Sequence, residues 1–206
     1  MTSLYLSVAA FKATIDIEGT SDTTDDDAIY RALAAASQAL DLAYGRTFTR
    51  STGAKDFKSR YAGYLEVVDL ISVTAIAVDI DSNYTYSKAL LPTDYTLFPY
   101  NAPRYQRIEV KPLAVQSFWP GYMVRVTGDW GYVETWGSPA VEQAPPSVVQ
   151  ACQILAHRLL RRKDAPFGVL AAPEMGEPVR IAKSDPDVVS LMGPFDRTAG
   201  QMAYIA

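Results

Sequence analysis

A block of short, aromatic-rich apolar runs separates two helical stretches, and this order of parts constrains the fold more than any single motif. Residues 1–50 contain no proline, whereas residues 51–140 hold 15 of the 23 aromatic residues. Aromatic and β-branched runs between turn residues are typical of strands. Residues 141–163 return to a helical pattern, and residues 164–206 form a tail with proline and glycine. The sequence therefore predicts one α+β domain, with a mainly α-helical core (a helix bundle), an inserted antiparallel β-rich segment and an extended C-terminal tail.

Apolar side chains at three- and four-residue spacing predict two N-terminal helices. Ser7 is a suitable N-cap for a short helix that ends near Thr14. Thr24 or Asp25 caps a second helix, and Gly45 ends it. Alanine dominates the middle of this second helix, so another helix can approach closely, from the same chain or from another copy. The periodic apolar positions of this helix are Ile29, Leu33, Ala36, Leu40 and either Ala43 or Tyr44.

Two further helices are predicted in the C-terminal part. One starts at Pro145-Pro146, because proline suits the first helical turn, and ends in Arg161-Arg-Lys163, whose charges suit the helix dipole. A short helix starts at Asp185-Pro186 and runs to about Met192. The residues expected to face inward on the longer helix are Val149, Cys152, Leu155, Ala156, Leu159 and Leu160.

The middle segment is predicted to form five to seven short, mostly antiparallel strands. Residues 107–111 alternate with Ile108 and Val110 inward, and residues 123–127 alternate with Val124 and Val126 inward. Residues 71–80 form the longest apolar strand candidate. Its alternation shifts phase near Ala75, which predicts a β-bulge or burial on both faces.

Residue types exclude most catalytic and metal sites. Cys152 and His157 are the only cysteine and histidine, so a disulfide, a multi-thiolate zinc site and any two-histidine motif are excluded. Consecutive side chains in Asp25–Asp27 point about 100° apart on a helix, which favours capping over a metal-dependent hydrolase site. Asp79-x-Asp81-x-Asn83 begins like a calcium loop, but Tyr84 and Leu90 stand where that loop needs glycine and glutamate. We predict a protein without catalytic residues, cofactor or metal.

Charge and hydropathy restrict the partners. The net charge is −4, from 23 acidic and 19 basic residues, and no long stretch is basic. Sequence-specific DNA binding normally needs a basic face. No apolar run approaches the ~20 residues of a membrane span. The apolar patch at residues 4–8 lacks the basic leader of a signal peptide, which favours an intracellular protein.

An aromatic cluster in the middle segment is the remaining candidate ligand site. Such rings can stack on sugars or single-stranded bases. Filling a thin β layer and an oligomer interface is the favoured interpretation, because Tyr and Trp are common in both. The cluster consists of Tyr95, Phe98, Tyr100, Tyr105, Phe118, Trp119, Tyr122, Trp130, Tyr132 and Trp136.

Four stretches in a fixed order carry a resemblance to a known family. They are Asp25-Asp-Asp-Ala-Ile-Tyr-Arg-Ala-Leu33 leading to Tyr44-Gly-Arg46, then Val126-Thr-Gly-Asp-Trp-Gly-Tyr132, then Pro145-Pro-Ser147 through Arg161-Arg162, and finally Asp185-Pro-Asp through Gly193-Pro-Phe195. In order and spacing the chain resembles the head–tail connector proteins (adaptor or head-completion proteins) of tailed bacteriophages.

The resemblance implies a non-enzymatic structural protein of the virion. Such proteins form a ring, usually twelve-fold, under the portal vertex of a DNA-filled head. The ring extends the channel, through which DNA passes without specific binding. The implied partners are the portal protein, a tail-side stopper or tail-completion protein and further copies of the chain, with no cofactor and no membrane. The implied location is the head–tail interface of the virion, after assembly in the host cytoplasm.

We expect the ring contacts on the two long helices and the portal contact on the tail. The expected ring residues are Ile29, Leu33, Ala36, Leu40, Arg158, Arg161 and Arg162. The expected portal-docking residues are Val188, Leu191, Met192 and Phe195, in a tail that is mobile from Asp164 onward until bound. The alternatives are a tail-completion protein and a carbohydrate- or ligand-binding β module that uses the aromatic cluster.

Overall fold

The computed structural model describes residues 4–14, 23–81, 83–112, 114, 117–164, 169–170, 179–180 and 185–196, with the backbone alone at 162–164, 169–170 and 179–180. The chain divides into two compact units, residues 1–48 with 134–206 and residues 49–133. The elements in chain order are α1 (Val8–Thr14), α2 (Asp26–Tyr44), β1 (Ser51–Lys58), β2 (Tyr64–Asp79), β3 (Lys88–Leu90), β4 (Tyr95–Phe98), β5 (Tyr105–Val110), β6 (Met123–Trp130), β7 (Glu134–Trp136), β8 (Val141–Gln143), α3 (Pro146–Asp164), β9 (Val169–Leu170), β10 (Val179–Arg180) and α4 (Pro186–Met192), followed by a 3-10 helix (Gly193–Phe195).

The helix ends of the first unit follow local capping chemistry. The Ser7 hydroxyl accepts the Ala10 N–H at 3.2 Å at the start of α1. Gly45 adopts a left-handed φ of 58° after α2, and its N–H donates to the Asp41 carbonyl. The Asp185 carboxylate accepts the Asp187 N–H at 3.0 Å at the start of α4. The predicted bounds of these helices are confirmed.

The core of the first unit lies where α2 packs against α3. The buried face of α2 meets the buried face of α3, where the Ser37 Oγ lies 3.4 Å from the Cys152 Sγ. On α3 the buried side chains are Val148, Ala151, Cys152 and Ala156. The prediction for α3 is therefore wrong at Leu159, which is 37% exposed, because its side chain lies on the next turn beyond Ala156, outside this contact.

The second unit contains an antiparallel sheet with a core of its own. The strand order is β1-β6-β2-β5-β4, and β3 also pairs with β2. Of the residues predicted to face inward in the two alternating segments, Ile108, Val124 and Val126 are fully buried and Val110 is half-buried. The sheet is as substantial as the helical layer. The fold is thus mixed α+β, and the predicted helix bundle with a β insertion underestimates the β part.

Strand β2 starts earlier than the sequence indicates. It is 16 residues long and begins at Tyr64, not at Ile71. Its register shifts between Val73 and Ala75, which confirms the predicted bulge. A second irregularity surrounds Asp69, which adopts a φ of 48° and accepts the Gly131 N–H at its carbonyl at 2.8 Å.

The Asp79 turn closes through backbone hydrogen bonds to a buried carboxylate. The two Asp79 oxygens accept the N–H groups of Asp81 at 3.1 Å, Asn83 at 3.4 Å and Tyr84 at 2.6 Å. The carboxylate therefore stabilises the loop between β2 and β3. This agrees with the exclusion of a calcium loop from the sequence.

Residues 185–196 do not extend away from the first unit. Helix α4 packs against α3, and the Phe195 ring lies edge-on to Phe48 with 5.4 Å between centroids. The prediction of an extended tail is wrong for this segment, because its apolar side chains are buried on the helices. The remainder of the tail, for which mobility was predicted, lies outside the described residues apart from the paired strands β9 and β10.

Asp129 on β6 makes the second unit sensitive to acid. Its carboxylate accepts hydrogen bonds from Arg50 at 2.7 Å, Thr52 at 2.5 Å and Ser72 at 2.9 Å. These bonds, the one from Arg50 first, lower the pKa of Asp129 from its ordinary 3.8 to about 2. Because the folded pKa is depressed, the carboxylate stabilises the fold above the ordinary pKa, and this contribution is lost as the pH falls through the folded pKa.

We expect Asp129→Asn to remove this acid dependence. Between about pH 4 and pH 2 the free energy of unfolding of the variant should fall less steeply than that of the wild type. Urea unfolding at a series of pH values measures the slope. Glu66→Gln, a change of an exposed carboxyl on β2, is the control and should follow the wild type. Equal slopes for Asp129→Asn and the wild type would show that the three hydrogen bonds do not favour the charged form.

Candidate assembly interface

The four apolar residues predicted to join neighbouring copies lie inside the first unit. Ile29, Leu33, Ala36 and Leu40 are each at most 2% exposed. They form the α2 side of the contact with α3. A side chain with no accessible surface cannot contact a second copy of the folded chain, so this burial corrects the interface prediction for these residues.

The basic end of α3 is divided between an internal ion pair and a solvent-facing arginine. The Arg158 Nη2 lies 2.6 Å from the Asp185 Oδ2, and the Asp185 side chain is only 2% exposed. Arg158 therefore connects α3 to the start of α4 within the chain. The exposed Arg161 donates from Nε to the His157 Nε2 at 3.0 Å. The Arg162 side chain lies outside the described residues.

We expect Arg158→Glu to destabilise the folded protomer before any assembly is considered. The change places a carboxylate beside the buried Asp185 and removes its cation, at a cost of about 1–3 kcal/mol. The midpoint of thermal unfolding should be lower than that of the wild type, and limited proteolysis should cleave α4 earlier. Arg161→Glu is the matched control, since within the described part of the chain Arg161 bonds to His157 and not to a carboxylate. Equal midpoints for Arg158→Glu and the wild type would show that the ion pair does not hold α4.

The residues predicted to dock on a portal also belong to the protomer core. Val188, Met192 and Phe195 are buried, and Leu191 is half-buried. The docking prediction is therefore corrected for the three buried residues, because their apolar surface is covered by the first unit. The large apolar residue that α4 exposes is Val189.

The structure separates the predicted aromatic cluster into internal and exposed members. Phe118 and Trp130 are fully buried in the core of the sheet. The Arg104 guanidinium covers the Tyr132 ring, with its Cζ 3.3 Å from the centroid. Trp136 donates from Nε1 to the Ala144 carbonyl at 2.7 Å. These rings stabilise the unit in which each lies. Phe118 and Trp130 have no accessible surface for a ligand, whereas Tyr132 and Trp136 are half-buried.

Four aromatic residues, of which Tyr61 and Tyr100 are exposed and Tyr64 and Phe98 are half-buried, form a line along β2, β5 and β4, while the exposed Trp119 of the predicted cluster has no described contact with this line. Tyr61 stacks on Tyr64 with 4.5 Å between centroids, and the Arg107 Cζ lies 5.6 Å from the Tyr64 ring and 4.4 Å from the Phe98 ring. Tyr100, 65% exposed, lies edge-on to Phe98. Sequence reasoning missed Tyr61 and Tyr64, because the approach of Tyr64 to Arg107 and Phe98 depends on the pairing of β2 with β5 and of β5 with β4, which no local pattern shows. Arg107 is also paired with Glu109 at 2.7 Å, so the line carries no excess positive charge.

A buried polar group joins the N-terminal segment to α2. The Tyr5 hydroxyl donates to an Asp41 carboxylate oxygen and accepts the Phe48 N–H at 3.1 Å. Burial raises the pKa of Asp41 and that of Tyr5 above their ordinary values. Burial likewise raises the pKa of the Cys152 thiol, which suits a core residue and not a nucleophile. This network is structural in character, because all its members face the core.

Within the described ranges, no group of three or more histidine, cysteine, aspartate or glutamate residues is arranged to hold a metal ion. None of the described helices has the length and apolar character needed to cross a membrane.

Comparison with known proteins yields a likeness of fold. No protein-family model and no curated protein matches the sequence. Among solved structures, the chain is similar to a chain from the neck of an empty gene transfer agent (GTA) particle computed with C6 symmetry. The TM-score is 0.59 at 18% sequence identity, over 95% of this chain and 93% of the other. The likeness covers both the helical and the β parts and establishes a shared fold.

Proposed function

We propose that the chain is a structural, non-enzymatic protein of the head–tail neck of a tailed phage or phage-like particle. The observation that carries this proposal is the likeness of fold, across 95% of the chain, to a component of a particle neck. The order of sequence stretches that resembles phage connectors supports it independently, because that order depends on residue types and spacing and not on the likeness of fold. The protein would act by geometry and contact and not by chemistry.

The specific role that we propose is that of a connector or adaptor. Copies form a ring under the portal vertex, extend the DNA channel and provide the platform for a tail-side stopper or tail-completion protein. A twelve-fold ring, as the resemblance implies, contains the six-fold axis that a C6 reconstruction uses. The net charge of −4 suits a channel wall that DNA passes without being held. The protein would occupy the virion, after assembly in the host cytoplasm, without cofactor or membrane.

Docking on the portal is proposed for the C-terminal part, with a revised surface. Because Val188, Met192 and Phe195 are buried, α4 can present only its outer side, which includes Val189. A tail-completion protein is the near alternative, since it would belong to the same neck. The partly exposed line of Tyr61, Tyr64, Phe98 and Tyr100 favours a second alternative, a carbohydrate- or ligand-binding module.

The test is whether the purified chain binds the portal protein encoded in the same genome. The mixture is separated by size-exclusion chromatography and examined by negative-stain electron microscopy. We expect a second ring stacked on the portal. Portals that stay bare at high concentration of the chain would contradict the connector role, and binding to a tail-side protein instead would favour tail completion.

A further inference from the structure

From Ala35 onward, helix α2 carries apolar side chains on two opposite sides, and among the described residues only one of these sides is covered; Arg31 and Gln38 are polar members of the other side. The side that carries Leu33 is buried against α3, whereas Ala35, Ala39 and Ala43 are exposed and Leu42 is 76% exposed. From residue 32 to residue 44 the only charged residue is Asp41, which is bonded to Tyr5. A solvent-facing helix side normally carries charged residues, and a helix that is apolar all round is normally buried. The composition therefore indicates that a further layer covers the outer side.

Helix α3 also has an uncovered stripe opposite its buried side. Gln150, Ile154, His157 and Arg161 recur at helical spacing on this side, and Gln150 and Arg161 are exposed while the other two are half-buried. Arg161 is the only cationic side chain of the stripe when His157 is neutral. The rest of the stripe offers one apolar and two uncharged polar side chains, which suits contact with another helix.

The two uncovered sides point away from each other. Since α2 and α3 pack through their buried faces, with Ser37 and Cys152 in contact, their outer sides lie on opposite flanks of one helical layer. A closed ring requires two different, complementary surfaces on each copy. Opposite flanks of one layer satisfy that requirement.

Charge determines the direction in which the two flanks fit. The exposed Asp27 lies in the first turn of α2, and the exposed Arg161 lies in the last turns of α3. An antiparallel arrangement places these opposite charges together and also opposes the helix dipoles. The spacing from Asp27 to Leu42 along α2 equals the spacing from Pro146 to Arg161 along α3. When Asp27 faces Arg161 in an antiparallel pair, Leu42 therefore meets the exposed Pro146 at the start of α3. Antiparallel pairing of α2 with α2 of a second copy would instead place Asp27 against Leu42, a carboxylate with no opposite charge beside it.

We infer that the outer side of α2 in one copy packs antiparallel against the outer side of α3 in a second copy, with Asp27 facing Arg161. This inference rests on the proposed ring. It replaces the buried residues first expected at the interface with Ala35, Ala39 and Leu42.

The experiment measures the assembly of the full chain, and disulfide formation between copies provides a second readout. Ala39→Glu places a charge in the apolar side, and Asp27→Arg and Arg161→Glu each create a like-charge contact. Each should raise the concentration for half-assembly, measured by mass photometry, by about tenfold or more. Asp27→Arg combined with Arg161→Glu should restore most of the assembly that each single variant loses. Ala13→Glu, at an exposed alanine of α1, is the matched control and should assemble normally. Circular dichroism and thermal unfolding confirm that each variant is folded.

A second variant tests the contact without a ring. Asp27→Cys combined with Arg161→Cys should form disulfides between copies at high concentration, because the two positions lie on opposite flanks of one protomer. If Ala39→Glu forms rings as readily as the wild type and the double-cysteine variant forms no cross-link, this inference is overturned and the proposed neck function is unaffected. Cross-linked copies that never bind a portal would support the contact and count against the neck function. If the wild type does not assemble and the double-cysteine variant forms no cross-link at any concentration, the proposed contact is overturned.

Discussion

Replacing Gly128 by alanine is expected to destabilise the second unit by about 3 kcal/mol or more. Gly128 lies in the middle of β6, opposite the bulged part of β2. A methyl group at this position would overlap the Ser72 carbonyl oxygen and crowd the Val73 Cα at 3.2 Å. These are backbone atoms in a paired strand, so they cannot move aside without breaking the sheet. The absence of a side chain at Gly128 is therefore required by the close approach of two strands.

The sheet provides a matched control for this change. Gly53 on β1 is the direct cross-strand partner of Gly128, and a methyl group there would have no atom within 4 Å. Gly53→Ala should change the free energy of unfolding by less than about 1 kcal/mol. Urea unfolding measures the free energy of unfolding of both variants, and hydrogen exchange measures the local opening of β2 and β6. Similar stabilities for the two alanine variants would show that the approach of β2 to β6 is not as close as described.

Phe48→Ala is expected to cost about 3–5 kcal/mol and to loosen both terminal segments of the first unit. The ring is fully buried and lies edge-on to Tyr5 at 5.8 Å and to Phe195 at 5.4 Å between centroids. It thus packs against the N-terminal segment and the 3-10 helix at once. Removing the ring leaves a cavity between these two segments.

The loosening can be measured separately from the loss of stability. Limited proteolysis followed by mass spectrometry should show earlier cleavage near residues 4–7 and near residues 193–196 in Phe48→Ala than in the wild type. Tyr84→Ala removes an aromatic ring that is 76% exposed and should leave both stability and cleavage unchanged. A Phe48→Ala protein with wild-type stability and an unchanged cleavage pattern would contradict this account of the first unit.

Local signals in the sequence were sufficient for the helices and for two strands. The caps at Ser7, Gly45 and Asp185 act within a few residues, so their chemistry is visible without knowledge of the fold. Simple alternation identified Ile108 and Val124 as buried. The beginning of β2 was missed because Glu66 and Asp69 interrupt the apolar run, and the backbone around Asp69 departs from a regular strand.

The interface residues could not be predicted in the same way, because periodicity shows that a helix face is covered but not by what. The stripe through Leu33 and Leu40 predicts burial equally well against α3 or against another copy. The pairing of Arg158 with Asp185 joins residues that are distant in sequence, and no local pattern encodes it. The inferred contact between copies depends on a different signal, the lack of charged residues other than Asp41 between residues 32 and 44 of a helix that exposes Leu42.

The most direct test of the neck function is a cryo-electron microscopy reconstruction of the particle whose genome encodes this chain. We predict a ring of density between portal and tail into which both units, residues 1–48 with 134–206 and residues 49–133, fit with their helices and sheet resolved. Neighbouring copies should meet through α2 and α3. A complete neck with no density for this fold, in particles from which mass spectrometry also fails to detect the chain, would contradict the proposed function.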